Sequence, residues 1–375
     1  MIKEKYKYFD KLSTPQLSLY RQIGRIRTIT MHNRLCAIKS KNMKKLILTL
    51  FMINSLMIYP CTTFVIKTST DLVFGRNLDW VSENGIIVVN KRNQLKTSIV
   101  FPPDKPVKWI SKYGSITFNQ FGKELPFGGI NEKGLVIEIM VANAEYPDFD
   151  QRKAVNELQW VQYQLDNAST IEDIIENDKI IRLSKINQDL HFLVCDKNGN
   201  TAVIEFKNKK MVVYRGDDLP YSVLENSEYL QSLKNKEKNK SCRFTTASNM
   251  VEEYNPQKKS VIDYSFDILD NVKLDGSWSI VYDIKNMKIY FKTKSNKNIR
   301  IININSFDFE CGTNTKIYDL LLKGKGNINK DFIIFNSKIN REKMENAVKL
   351  NKIFLPEEIL DRLYNYHKII ECNKQ

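Results

Sequence analysis

The sequence predicts an α+β fold, on three observations. Short β-branched or apolar runs recur between residues 62 and 293, several of them joined by tight-turn residues. Helical patterns fall between groups of these runs instead of alternating with them one for one. The composition, 42% hydrophobic and 27% charged over 375 residues, suffices for one large domain or two small ones. Segregation of this kind sets helices on the outer faces of antiparallel sheets.

Taken in order, residues 62–67 and 72–74 read as a hairpin turning at Ser69-Thr70-Asp71. Further strands are expected at 86–90, 135–141, 190–195, 202–206 and 211–214, with Asn198-Gly199 as a strong hairpin signal. The 135–141 run is apolar apart from Glu138, which suits a central strand covered on both faces. Residues 278–283 and 288–293 pair through Lys285-Asn286. Helices are expected at 154–166, where Val155, Leu158, Val161, Tyr163 and Leu165 are the apolar positions, and at 170–177, where Thr170 precedes Asp173 as in a capping box. Weaker patterns cover 228–234 and 260–271. Residues 342–352 and 356–370 complete the set, the second opened by proline. The lysine-rich stretch 234–240 reads as a solvated loop and 323–330 as a Gly/Asn/Lys linker; there is no internal repeat.

A formal charge of +15 would suggest nucleic acid if it were evenly spread. Residues 1–60 carry 12 Lys+Arg against 2 Asp+Glu, and the remaining 46 against 41 leave only +5, so that reading loses its support. Residues 46–59 form an apolar run of 14 behind Lys44 and Lys45, the length of a secretory signal core and short of the about 20 residues a membrane span needs. The expected organisation is therefore an extension at 1–42, a signal or pro-segment at 43–60, a main domain at 61–320 and a C-terminal helical tail at 321–375 packing on it. Export to a periplasmic or extracellular compartment is expected, with no stable membrane span after processing. Pro60 and Ile58 fit signal peptidase poorly. Trimming after an upstream cut and autocatalytic attack by the Cys61 thiol both remain open.

Cutting before Cys61 would give one residue both a thiol and a free α-amine. The thiol, with a reference pKa of about 8.5, is a nucleophile held mostly protonated at neutral pH; the amine, at about 7.7–8, is a base already in place. The chain has only three histidines, His32, His191 and His367. A Cys–His pair would have to use His191, which lies in a strand pattern as core. Six cysteines, Cys36, Cys61, Cys195, Cys242, Cys311 and Cys372, match no zinc spacing. Buried free thiols are expected beyond Cys61, although export would permit pairing. In Gly75-Arg76-Asn77-Leu78-Asp79-Trp80, Arg76 can stabilise a thiolate and Asp79 can hold the ammonium, if the hairpin returns to Cys61.

Cys61, Gly75-Arg76-Asn77-Leu78-Asp79 and Gly129-Ile130-Asn131-Glu132-Lys133-Gly134-Leu135 together resemble the choloylglycine hydrolase and penicillin V acylase family of N-terminal-nucleophile hydrolases. Val223-Leu224-Glu225-Asn226-Ser227, Ser241-Cys242-Arg243-Phe244 and the 278–291 hairpin extend the likeness in order. The resemblance implies a four-layer α/β/β/α sandwich. It also implies acyl transfer from a linear N-acyl amide to Cys61, with Arg76, Asp79, Asn226 and Arg243 as site residues and no metal or cofactor. The strand after the Asn-Glu-Lys-Gly-Leu motif ends at Val141 where bile-salt members carry an oxyanion asparagine. Asn143 or a backbone N–H near Val141 is the expected substitute, and strict bile-salt specificity is disfavoured. Trp80, Phe127, Met140 and Phe244, beside the motifs, are candidates for an apolar acyl pocket. The leaving group could be an amino acid, a β-lactam nucleus or a homoserine lactone. Assembly as a dimer or tetramer is an expectation as well. A non-catalytic exported binding protein and a Cys61-anchored lipoprotein are the alternatives.

Overall fold

A computed structural model of the chain describes residues 60–274 and 276–373. The expected extension and signal segment lie outside the described residues, Pro60 excepted. Two large sheets organise the rest. Sheet I has seven strands in the order Val223–Leu224, Thr62–Lys67, Leu72–Leu78, Trp278–Asp283, Lys288–Thr293, Arg300–Asn303 and Gly326–Asn327. Sheet II has nine: Lys210–Arg215, Thr201–Lys207, Leu190–Cys195, Val136–Val141, Gly128–Asn131, Ser115–Asn119, Ile86–Asn90, Lys316–Asp319 and Ile333–Ile334. All neighbours run antiparallel except the parallel pair at the Gly326–Asn327 edge of sheet I.

The sheets face each other across an aromatic core. Phe118 of sheet II packs against Trp278, Tyr282 and Phe291 of sheet I at centroid distances of 6.0, 6.4 and 5.6 Å. The described helices, in chain order, are α1 (Glu157–Asn167), α2 (Ile171–Asn177), α3 (Tyr229–Glu237), α4 (Arg243–Glu253), α5 (Val261–Val272), α6 (Ser337–Leu350) and α7 (Glu357–Asn365). α4 and α5 cover the outer face of sheet I, and α1 covers sheet II behind Gly128–Asn131 and Val136–Val141. This is the expected α+β sandwich of two antiparallel sheets between helices.

Some expectations are corrected. The helix expected from residue 154 starts at Glu157, because Asn156 caps it by accepting from the N–H groups of Leu158 and Gln159. Residues Lys153–Val155 instead pair in parallel with Ile181–Leu183. The lysines of 234–240 are in part helical: Lys234 and Lys236 fill the last turn of α3, where cations suit the helix dipole. The 323–330 linker contributes Gly326–Asn327 to sheet I. The C-terminal tail is more than helical, since Ile333–Ile334 extends sheet II and Glu371–Cys372 pairs with Gln94–Thr97. Cys311 and Cys372 form a disulfide, while Cys61, Cys195 and Cys242 are free thiols. No helix among the described residues is long and apolar enough to cross a membrane.

Candidate active site

Strand register builds the site. Thr62–Lys67 and Leu72–Leu78 pair with Thr63 opposite Arg76 and Thr62 opposite Asn77. Successive side chains of a strand point to opposite faces. Asn77 therefore faces out and donates to the Leu269 carbonyl of α5 at 2.6 Å, and Thr62 faces out toward α4. Thr63 faces in, its hydroxyl on Met140 Sδ of sheet II at 3.5 Å, and Arg76 faces in beside it. Cys61, two residues before Thr63, shares the inward face and comes to Arg76. The hairpin closes this tightly because Gly75 has no side chain: a Cβ there would lie 2.3 Å from the Phe64 ring.

The Cys61 thiol is 1% exposed, and Arg76 Nη2 lies 3.9 Å from its sulfur. Burial pushes the thiol pKa up. Arg76, the Asp79 backbone N–H and Arg243 pull it down, and the net position is above the usual value. Arg76 Nη1 pairs with the buried Glu138 carboxylate and donates to the Phe127 carbonyl at 3.4 Å. Tyr282 O–H donates to the other Glu138 oxygen at 2.5 Å.

Asp79 follows the Arg76 strand. Its carboxylate accepts from the N–H of Gly276 and, at 3.4 Å, from that of Leu274, in the loop after α5. From the other side, Arg243 is the first residue of α4, where a cation opposes the helix dipole. Its guanidinium instead serves the strand: Nη1 donates to the Cys61 carbonyl and, at 2.9 Å, to Thr62 Oγ1. Nη2 donates to Asn226 Oδ1 at 3.0 Å and lies 3.6 Å from Glu225. Arg243 thus orients the Asn226 amide, whose Nδ2 donates to the Val141 carbonyl at 2.8 Å. An amide NH2 carries two protons, so one is left for another acceptor.

The structure brings Cys61, Arg76, Asn226, Arg243 and the Val141 backbone into one bonded network, with the Asp79 backbone on the thiol. It does not bring Asn143 into that network. That residue is exposed and lines a groove of about 350 Å³ with Asp189, Phe206 and Glu228. Trp80 is half-buried and meets Phe127 edge-on at 5.6 Å. Met140 is buried on the thiol side of sheet II. Phe244 is core: it is fully buried against Tyr221 and Tyr229 at 6.2 and 5.9 Å. His191 is buried with Nδ1 3.2 Å from Glu205, in keeping with its reading as core. Sequence reasoning gave Glu138 and Tyr282 no role. The available signal was a lone carboxylate in the apolar 135–141 run.

Known proteins resemble this chain in sequence and in fold. The model of linear amide C–N hydrolases of the choloylglycine hydrolase family matches residues 61–260, more than half of the chain. A penicillin V acylase of Pectobacterium atrosepticum is 27% identical over 172 residues, which are 41% of this chain and 45% of that relative. The matched stretch thus spans less than half of the relative's length. Among solved structures, penicillin V acylase from Agrobacterium tumefaciens superposes with a TM-score of 0.65 at 22% identity, over 74% of this chain and 98% of that one. A point mutant of conjugated bile acid hydrolase from Clostridium perfringens superposes with 0.58 at 17% identity, over 72% and 99%. At such identities the structural likeness shows the fold, that of the N-terminal-nucleophile hydrolases.

Proposed function

The chain belongs to the choloylglycine hydrolase family of linear amide C–N hydrolases, and on that premise we propose that it cleaves a small N-acyl amide through a thioester on Cys61. The observation that carries this reading is the meeting of a buried thiol with Arg76 on one side and the Arg243–Asn226 pair on the other. In the full chain the Cys61 nitrogen is bound in the Pro60–Cys61 peptide. Cleavage there, by a peptidase or by the thiol itself, frees it as the base.

The amine then takes the thiol proton, and the sulfur attacks the substrate carbonyl. The remaining Asn226 Nδ2 proton and a backbone N–H near Val141 receive the oxyanion; donors of this kind are worth about 3–4 kcal/mol each at a transition state. The ammonium protonates the departing amine. Water, deprotonated by the same amine, attacks the thioester, the C–S bond breaks and the acid leaves. Arg76 steadies the sulfur as an anion, and the Asp79 carboxylate orients the amine. The Trp80–Phe127 pair supplies an apolar surface for the acyl group, which suits aryl-acetyl or long acyl chains. The leaving amine is an amino acid, a β-lactam nucleus or a homoserine lactone, and the chain works after export.

The test is a panel of phenoxymethyl penicillin, glycine- and taurine-conjugated bile acids and acyl homoserine lactones, given to purified protein whose N-terminus has been sequenced. The expected result is an N-terminus at Cys61, turnover of one class, and complete loss of turnover in Cys61→Ala. Cys61→Ser is expected to slow hydrolysis and leave precursor uncut. An active form still joined to Pro60, or capped at the Cys61 nitrogen as in a lipoprotein, would overturn the reading. A second reading, a non-catalytic binding protein, is favoured by Val141 and by the exposure of Asn143, which leave the oxyanion site without a second side-chain amide. Ligand binding without turnover across the panel would select it.

A further inference from the structure

Glu138 carries the one side chain of the apolar 136–141 strand that is ionisable, and it is 1% exposed. Isolated, such a carboxylate is costly to bury, so its partners matter. Gly128 lies directly opposite it on the neighbouring strand, and a Cβ at Gly128 would sit 2.1 Å from the carboxylate carbon. The fold therefore keeps a space in sheet II for this one group. From that space the carboxylate reaches sheet I, pairing with Arg76 through Oε2 and accepting from Tyr282 through Oε1. Arg76 Nε has no partner among the described residues, so the bonds on Nη1, to Glu138 and to the Phe127 carbonyl, hold the guanidinium with Nη2 toward the sulfur.

We propose that Glu138 is a positioning residue of this site: anchored by the Tyr282 hydroxyl, it aims the Arg76 guanidinium at the Cys61 sulfur and sets how much of that cation's charge the sulfur feels. The inference deepens the acyl-transfer reading above and rests on it. The charged or titratable groups facing the cluster are Arg76, Cys61 and Tyr282 from sheet I, with Asp79 and Arg243 beyond the thiol. Burial pushes the Glu138 pKa up to about 7, although Arg76 and Tyr282 pull it down. The carboxylate therefore changes charge near neutrality, where the nucleophile must work.

The experiment uses the processed protein and iodoacetamide. The pH midpoint of Cys61 alkylation is followed by peptide mapping, which separates Cys61 from Cys195 and Cys242, and kcat and KM are measured on the amide found by the panel. Glu138→Gln keeps an acceptor for Arg76 and removes the negative charge. The thiolate is then favoured, and the midpoint is expected to fall by about one pH unit. Tyr282→Phe, which leaves the still-ionised Glu138 charge to Arg76 alone, should instead raise it by a smaller amount. Glu138→Ala, which frees the guanidinium, should lower kcat about tenfold or more with KM within about threefold. A residue that only fills space would leave the alkylation midpoint unmoved. Should Glu138→Gln and Tyr282→Phe both alkylate at the wild-type midpoint, the proposal is overturned; if Glu138→Gln does not fold, Tyr282→Phe decides alone. Alkylation needs no turnover, so retention of activity in Cys61→Ala would sink the acyl-transfer reading and still leave the Glu138 measurement meaningful.

Discussion

Arg76 and Lys96 are both buried cations held between two side-chain acceptors, and those acceptors differ. Lys96, on the strand Gln94–Thr97, sits 2.7 Å from Glu124 and 2.9 Å from Asp166 of α1, and Lys123 closes the group at 2.7 Å from Glu124. Trp109 Nε1 and Gln162 Nε2 each donate to Asp166 at 2.8 Å. Two cations face two carboxylates. Although burial raises its pKa, Lys123 and Lys96 hold Glu124 down at about 2, so that group keeps its charge through the physiological range. Arg76 has one carboxylate, Glu138, and in the second place a neutral thiol. Burial is equal in the two regions. On the acyl-transfer reading proposed above, what marks the second as chemical is an acceptor that gains charge only when it reacts.

The largest effect expected of this contrast is in turnover. Arg76→Met removes the cation 3.9 Å from the sulfur, and kcat/KM should fall about a thousandfold, roughly 4 kcal/mol of transition-state stabilisation. The alkylation midpoint of Cys61 should rise, since the thiolate loses its nearest positive charge. Turnover within threefold of wild type would erase the distinction between the two clusters. Lys96→Met should do the opposite. It leaves Asp166 without its cation, while Glu124 keeps Lys123, and should lower folding stability by about 3 kcal/mol, read by urea unfolding. The alkylation midpoint in its folded protein should match wild type. A shifted midpoint there would mean that the outer cluster is wired to the nucleophile.

How much of this was legible beforehand follows from what each residue type announces locally. The strands Thr62–Lys67, Ile86–Asn90, Leu190–Cys195, Trp278–Asp283 and Lys288–Thr293 stand at the expected bounds because β-branched and aromatic runs are visible without tertiary context. Gly128–Asn131 was hidden, since glycine weakens a strand; its reason, the Glu138 carboxylate opposite Gly128, lies on another strand. α4 was hidden too. Thr245, Thr246, Ser248 and Asn249 are poor helix formers, and packing on sheet I decides that helix. Of the site, Cys61, Arg76 and Asp79 stood out through a turn-length hairpin, and Asn226 and Arg243 only through family likeness, because their meeting depends on α4. The Cys311–Cys372 pair, 61 residues apart, has no local signature at all.

A carboxylate near the surface supplies the scale against which the buried ones are judged. Asp173 closes the capping box of α2: its Oδ2 accepts from Ser169 N–H, Ser169 O–H and Thr170 N–H at 2.8, 2.9 and 3.0 Å, while Thr170 Oγ1 accepts from Asp173 N–H at 3.1 Å. Thr170→Ala should cost about 1 kcal/mol of stability, the ordinary worth of an N-cap, and leave Cys61 alkylation and turnover unchanged. Burial is the largest single influence on the Asp173 pKa and raises it, but the Ser169 and Thr170 hydrogen bonds together outweigh it and hold it below the ordinary aspartate value. A depressed folded pKa means the carboxylate binds fewer protons in the folded chain than in the unfolded one. Its contribution is therefore complete above the unfolded value of about 3.9 and drains away as pH falls through the folded one. The gap between wild type and Asp173→Asn, which removes the titrating charge and keeps the shape, measured by urea unfolding, should accordingly stay constant from neutral pH down to about 5 and narrow below about 4. Glu138, whose pKa is displaced upward by burial, must behave in the contrary sense, costing stability progressively as pH rises from its unfolded value to about 7 and in full above that. A capping variant whose effect instead grew on acidification would show that Asp173 is stabilised by something other than those three donors.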